Sequence, residues 1–260
     1  MNGAKHQQGR QGARAAVIGA AAASVTLALA GSAFAGDLDG RWAYLQRTVT
    51  ASEVPVIGTL LAKRLAVSVL DLRHEDGRLR GTGQLCKVEV DSGTVLVSTT
   101  IPEAFQRLLS TPSIDAAVSP REGGGYTFNQ AKRTLVLGAK LENPLRDPLP
   151  ALASDPRVID QDADGQPGVT VKVRGFVTGS VYLVERTATW LSGTSTDRNE
   201  LAGSVYFNHE QVILGASSGM LEDSPDAKPV WPMSRFRLVR LPAAATCATA
   251  NELAASWAAD

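Results

Sequence analysis

The sequence predicts a mainly β fold, an antiparallel β-barrel or β-sandwich of about nine strands with two short helices. Three observations carry this. Segment after segment alternates apolar and polar residues with the two-residue period of a half-buried strand. Turn signals rich in Gly, Asp, Asn and Pro separate those segments. Only two stretches place apolar residues at helical spacing, and both are short. The sequence shows no internal repeat.

The first 35 residues stand apart from the pattern. Lys5, Arg10 and Arg14 precede an apolar run from Ala15 to Ala30 that closes on Ala33-Phe34-Ala35. A basic start, an apolar core too short to span a bilayer and small residues at its end describe a secretory signal cleaved near Ala35. The mature chain, 36–260, is then a single exported domain, periplasmic or secreted. Nothing in it is apolar for long enough to insert into a membrane as a helix. Removing the signal takes away three of the 26 basic residues and none of the 26 acidic ones, leaving a net charge of about −3. Without clustered Lys and Arg, the composition excludes nucleic acid as a partner.

Taken in order, Arg41 to Val49 is the first strand. Lys63 to Arg73 and Arg78 to Val90 flank His74-Glu75-Asp76-Gly77, whose Asp-Gly tip is a hairpin turn. In the second of these strands Cys86, Val88 and Val90 share one face and Lys87, Glu89 and Asp91 the other. Thr94 to Thr100 adds a strand. Thr100 and Glu103 then have capping-box spacing ahead of Phe105, Leu108 and Leu109, which gives a short helix. Tyr126 to Phe128 and Arg133 to Leu141 read as a hairpin after a flexible turn at Gly123 to Gly125, and Asn143 to Pro156 as a loop. Val169 to Val177 and Ser180 to Trp190 pair across Thr178-Gly179, followed by strands at Glu200 to Leu214 and Ser234 to Leu241. Thr249 and Glu252 form a second capping box before a short helix with Leu253 and Trp257 on one face.

The mature chain has two cysteines, Cys86 and Cys247. In an oxidising compartment they pair, tying an early strand to the segment after the last one.

The densest chemistry lies from Asp160 to Gly168, D-Q-D-A-D-G-Q-P-G. Asp160, Asp162 and Asp164 alternate, so a tightly curled backbone turns their oxygens toward one centre, and Gly165 supplies the sharp turn that follows. The D-x-D-x-D-G spacing resembles the calcium loops of EF-hands, dockerins and thrombospondin type 3 repeats. That resemblance implies a structural calcium held by Asp160, Asp162, Asp164 and the Gln166 carbonyl, with Asp155 the nearest further ligand. Position 12 is Val171 rather than a bidentate Glu, which places binding in the weak range of extracellular modules. A solvated acidic turn is the alternative.

Gly40-Arg41-Trp42 opens the first strand and resembles the G-x-W that begins the barrel in lipocalins. The resemblance implies that Trp42 closes one barrel end against an arginine of the last strand, Arg237, with Arg235 and Arg240 as the other candidates. A disulfide from the C-terminal segment to an early strand is lipocalin-like too.

No catalytic constellation emerges. Gly215-Ala216-Ser217-Ser218-Gly219 matches the nucleophile elbow of α/β-hydrolases, yet it leads into a proline-rich segment, and no histidine follows Ser217. His74 and His209 lack metal-ligand spacing. Glu185 and Glu210 could act as an acid/base pair only if the fold joined them, and both read as outward strand residues. The leading expectation is therefore a non-enzymatic exported barrel with a calcium loop, binding a small apolar ligand or an envelope component. A glycan hydrolase working through carboxylates and a structural or adhesive envelope module are the alternatives. Emission from Trp42, Trp190 and Trp231 is the expected reporter of a ligand in the barrel.

Overall fold

The computed structural model describes residues 38–54, 58–94, 97–109, 111–175, 177–195, 197–222 and 227–258; the expected signal sequence and Ala35 lie outside them. The strands are β1 (Gly40–Val54), β2 (Gly58–Glu75), β3 (Arg78–Asp91), β4 (Val97–Thr100), β5 (Ser113–Pro120) and β6 (Tyr126–Leu137). They continue with β7 (Val169–Gly175), β8 (Gly179–Ser195), β9 (Glu200–Ala216), β10 (Lys228–Pro229) and β11 (Arg235–Leu241). Two α-helices, α1 (Glu103–Leu108) and α2 (Cys247–Ala258), and two short 3-10 turns, Gly219–Leu221 and Trp231–Met233, complete the described elements.

Eight strands close into a ring in the order β1, β2, β3, β5, β6, β8, β9, β11, with β11 returning to β1. All described pairings are antiparallel, as the two-residue periodicity predicts, and closure removes the open edges that a flat sheet would expose. The ring branches at β8. Its second half, from Glu185 onward, pairs with β6, while Gly179 to Leu183 pair with β7, which carries β4 beyond it. β9 runs along the whole of the other side of β8. The branch and α1 wall one end of the ring.

The other end is packed. Trp42, Leu70, Leu72, Leu79, Phe128, Leu191, Phe236 and Leu238 lie buried in one cluster, with the Phe128 and Phe236 rings 5.3 Å apart. On the outside, Ala43 and Leu45 of β1 and Val67 and Val69 of β2 bury against Ala250, Ala254 and Trp257 of α2. The Cys86–Cys247 disulfide, with an S–S distance of 2.02 Å, ties that helix to β3.

Several local expectations change. Cys86 does not share a face with Val88 and Val90. A β-bulge opposite Val67 and Ser68 inserts one extra residue and turns Cys86 toward α2, while Val90 faces the ring interior. β6 runs unbroken through the expected hairpin, with a bulge between Gln130 and Arg133, and its hairpin partner is β5, a strand additional to those expected. Neither capping box forms. Pro102 precedes α1 while Thr100 is paired in β4, and α2 starts ahead of Thr249, where Thr246 Oγ1 accepts the Ala248 N–H at 3.3 Å.

Candidate functional site

Beyond the packed floor the ring encloses a cavity of about 810 Å³. Strand register arranges its walls in two levels. Nearest the floor is a polar belt, in which Thr48 of β1 stands opposite Arg64 of β2, Thr187 of β8 opposite His209 of β9, and Glu185 opposite Gln211. Gln46, Thr189 and Arg133 complete it, the last two also directly paired. Nearer the mouth the β7, β8 and β9 side is apolar, with Val171, Val173, Val181, Leu183 and Ile213. Ile101, Phe105 and Leu108, in and just ahead of α1, pack against this rim. The segment after α1 is anchored to β3, because Gly83 N–H donates to the Pro112 carbonyl at 3.1 Å.

Hydrogen bonds fix part of the belt. His209 Nδ1 lies 3.2 Å from Thr187 Oγ1, and its Nε2 lies 3.3 Å from Gln211 Oε1. Arg133 Nη1 donates to the Ser113 carbonyl at 3.0 Å and to its Oγ. Beneath the belt the Tyr44 hydroxyl donates to Gln46 Oε1, and burial pushes its pKa well above the usual phenol value, partly offset by the nearby Arg133 charge. Tyr44 is therefore a neutral donor at physiological pH. No hydrogen bond or ion pair to another described residue engages the Arg64 guanidinium or the Glu185 carboxylate, which face the same interior half-buried.

Glu185 thus corrects its expected outward placement. Glu210 does point outward, where its carboxylate accepts from Arg186 Nη2 at 2.5 Å. Glu185 is the one carboxylate among the described lining residues. None of Trp42, Trp190 and Trp231 lines the cavity: Trp42 is in the floor, and the other two rings pack together with Tyr206. Ser217 Oγ accepts the Ser180 N–H at 2.8 Å, a bond that holds the start of β8.

The closed end carries an arginine over Trp42, and it is Arg240, whose guanidinium carbon lies 4.6 Å from the ring centroid. Trp42 Nε1 donates to the Leu38 carbonyl at 3.1 Å, and Arg240 Nη1 bonds the Asp39 carbonyl. Arg237 pairs with Leu45, on the opposite sheet face from Trp42, and forms two hydrogen bonds to the Glu200 carboxylate, at 2.8 and 3.0 Å. Period-two alternation forces this, since Arg240 is the residue that stands opposite Trp42 in the register.

The acidic loop leads into β7. One oxygen from each of Asp160, Asp162 and Asp164 lies within 4.8 Å of the others, an arrangement that can hold a metal ion. The backbone curls as the spacing predicts, with Gly165 at φ 83° and Ala163 at φ 57°. Asp160 accepts the N–H groups of Asp164 and Gly165 at 3.1 and 2.9 Å. Asp164 accepts from the Gln166 N–H and from Thr170 Oγ1, at 3.0 and 2.6 Å. Asp162 Oδ2 accepts the Thr170 N–H at 2.9 Å, while its Oδ1 is buried without a hydrogen-bond partner. Burial, together with the charges of Asp164 and Asp160, raises the Asp162 pKa against the lowering effect of the Thr170 N–H.

Asp155 stands outside this cluster. Its Oδ1 accepts the backbone N–H and Nε of Arg157, and its Oδ2 accepts from Nη2 at 2.7 Å. An arginine two residues away satisfies the carboxylate locally and holds its pKa down to about 2. Gln166 enters the loop's bonding through its N–H. The cavity-facing Thr187, Thr189 and Arg64 were missed in the sequence, because polar residues at alternate strand positions carry the same signature whether they face water outside or inside.

Comparisons of the chain with protein families, with curated proteins and with solved structures return no match.

Proposed function

We propose that this protein is an exported, non-enzymatic barrel that binds a small, largely apolar ligand in the open half of its ring. The cavity carries the reading: about 810 Å³, with a packed floor, a polar belt and an apolar rim. That volume falls within the range of roughly 300–1,000 Å³ usual for small-molecule sites, which combine apolar walls with a few placed polar groups. A hydrolase using two carboxylates gains less support, since Glu185 has no second carboxylate beside it among the described lining residues. Trp42 beneath Arg240 at the closed end supports the lipocalin likeness, and the disulfide and the basic, apolar start of the chain support export. Among the described residues no helix is long and apolar enough to cross a membrane.

The test uses a neutral naphthylamine dye whose fluorescence rises in apolar surroundings. One dye per protein is expected, displaced by dodecanol. Thr187→Trp, which fills the belt, should remove the signal. A dye response that survives Thr187→Trp would place binding elsewhere and end this reading.

The loop is read as a structural calcium site. Supporting it are three carboxylates around one centre and, at 8 % exposure, the unpartnered Oδ1 of Asp162 among them. Hard oxygen donors of this kind suit calcium, and water would complete its shell.

A further inference from the structure

We propose that the cavity takes a single-chain amphiphile head first, its monoanionic carboxylate in the belt that carries Arg64 and Arg133 and its hydrocarbon chain along the rim beside α1. This rests on the reading of the cavity as a binding site. The belt lies on the floor side of the apolar rim, so a molecule with one polar end and one apolar end matches the two levels only with its head inward.

Charge then selects the head. Among the described lining residues, Arg64 and Arg133 face the interior against the one carboxylate of Glu185, an excess of positive charge in a partly enclosed space. Arg64 makes no hydrogen bond or ion pair to another described residue, and a half-buried guanidinium without a partner gains most from an anion brought to it. Its five donors suit a carboxylate's two oxygens. Arg133 is already oriented by Ser113, and the neutral Tyr44 hydroxyl lies below. A monoanion balances the belt, whereas a dianionic phosphate monoester would leave Glu185 opposing an uncompensated negative charge. The apolar requirement is set separately, by Val181, Leu183 and Ile213 facing Phe105 and Leu108.

Three ligands with one chain length separate these features: dodecanoate, dodecanol and dodecyl phosphate, each displacing the neutral dye below its micellar concentration at pH 8. Dodecanoate should bind about tenfold more tightly than dodecanol, and more tightly than dodecyl phosphate. Arg64→Met should weaken dodecanoate by about tenfold while leaving the dye and dodecanol within about twofold, which also shows the variant folded. Glu185→Gln should tighten dodecanoate. Equal affinities for dodecanoate and dodecanol, or an Arg64→Met loss shared by all ligands, would overturn the proposal while leaving the cavity a binding site. Phosphate binding best would replace the carboxylate by a dianionic head. Failure of the dye and of every dodecyl ligand would instead end the broader binding reading.

Discussion

Asp162 is the residue at which the loop's structure and its energetics conflict. Its Oδ1 is buried beside two further carboxylates and has no donor, an arrangement that costs free energy unless a cation supplies the missing partner. A ligand at about 100 times its Kd stabilises the native state by about 2.7 kcal/mol. For a domain of this size each kcal/mol is worth about 2–4 °C, so excess calcium should raise the thermal midpoint by about 5–10 °C over chelator. Asp162→Ala should abolish the gain. No calcium shift in the parent protein would make the loop an acidic turn. Asp155 predicts a different response, because Arg157 lowers its pKa from 3.8 to about 2. A lowered carboxyl contributes stability above its unfolded value and loses it as pH falls through its folded value. The Asp155→Asn deficit should therefore be present at pH 7, shrink below about pH 4, be mostly lost by about pH 2 and vanish below it, read by denaturant unfolding at each pH. A deficit unchanged at pH 2 would remove the ion pair as its cause.

At the scale of elements, β3 shows how one inserted residue redirects a strand. Without the bulge, alternation would aim Cys86 into the ring with Val88 and Val90; with it, the thiol reaches α2 and fixes that helix over β1 and β2. The disulfide spans 161 residues of chain, and removing it should cost about 2–4 kcal/mol in a Cys86→Ser, Cys247→Ser double variant followed by urea unfolding. Unchanged stability would mean that α2 packing alone holds the helix. The strands with long alternating runs, β2, β3, β8 and β9, were legible in the sequence because side-chain alternation is a local property. Asn129 to Lys132 suggest a turn that β6 absorbs as a bulge, and Ser113 to Pro120 hid β5 behind turn-forming residues at both ends. Both capping boxes misled for one reason: the Ser/Thr-x-x-Glu spacing recurs in strands and loops, and tertiary pairing decided where α1 and α2 begin.

Across the whole molecule, the packed core and the open cavity occupy opposite ends of the ring. The sequence indicated the floor only at Trp42, through the resemblance carried by Gly40-Arg41-Trp42, while Phe128 and Phe236 join it in the structure. It could not indicate which residues line the cavity, because the belt's threonines, Glu185 and His209 face inward with the polarity of an outer surface. Only closure of the ring, through the pairing of β8 with both β6 and β9, makes those positions interior. The consequence is a double dissociation. Phe128→Ala removes a fully buried ring that packs on Phe236 and should cost about 3–5 kcal/mol. At a temperature where the variant remains folded, its dye affinity should stay within about twofold, since the floor contributes shape and not contacts to the mouth. Thr187→Trp should do the reverse, abolishing dye binding while lowering stability by less than about 1 kcal/mol, because it fills space that is already open. Urea unfolding and dye titration on the two variants read both quantities. Should Thr187→Trp prove as destabilising as Phe128→Ala, the belt would be part of the core, and the division between a structural end and a binding end would fail.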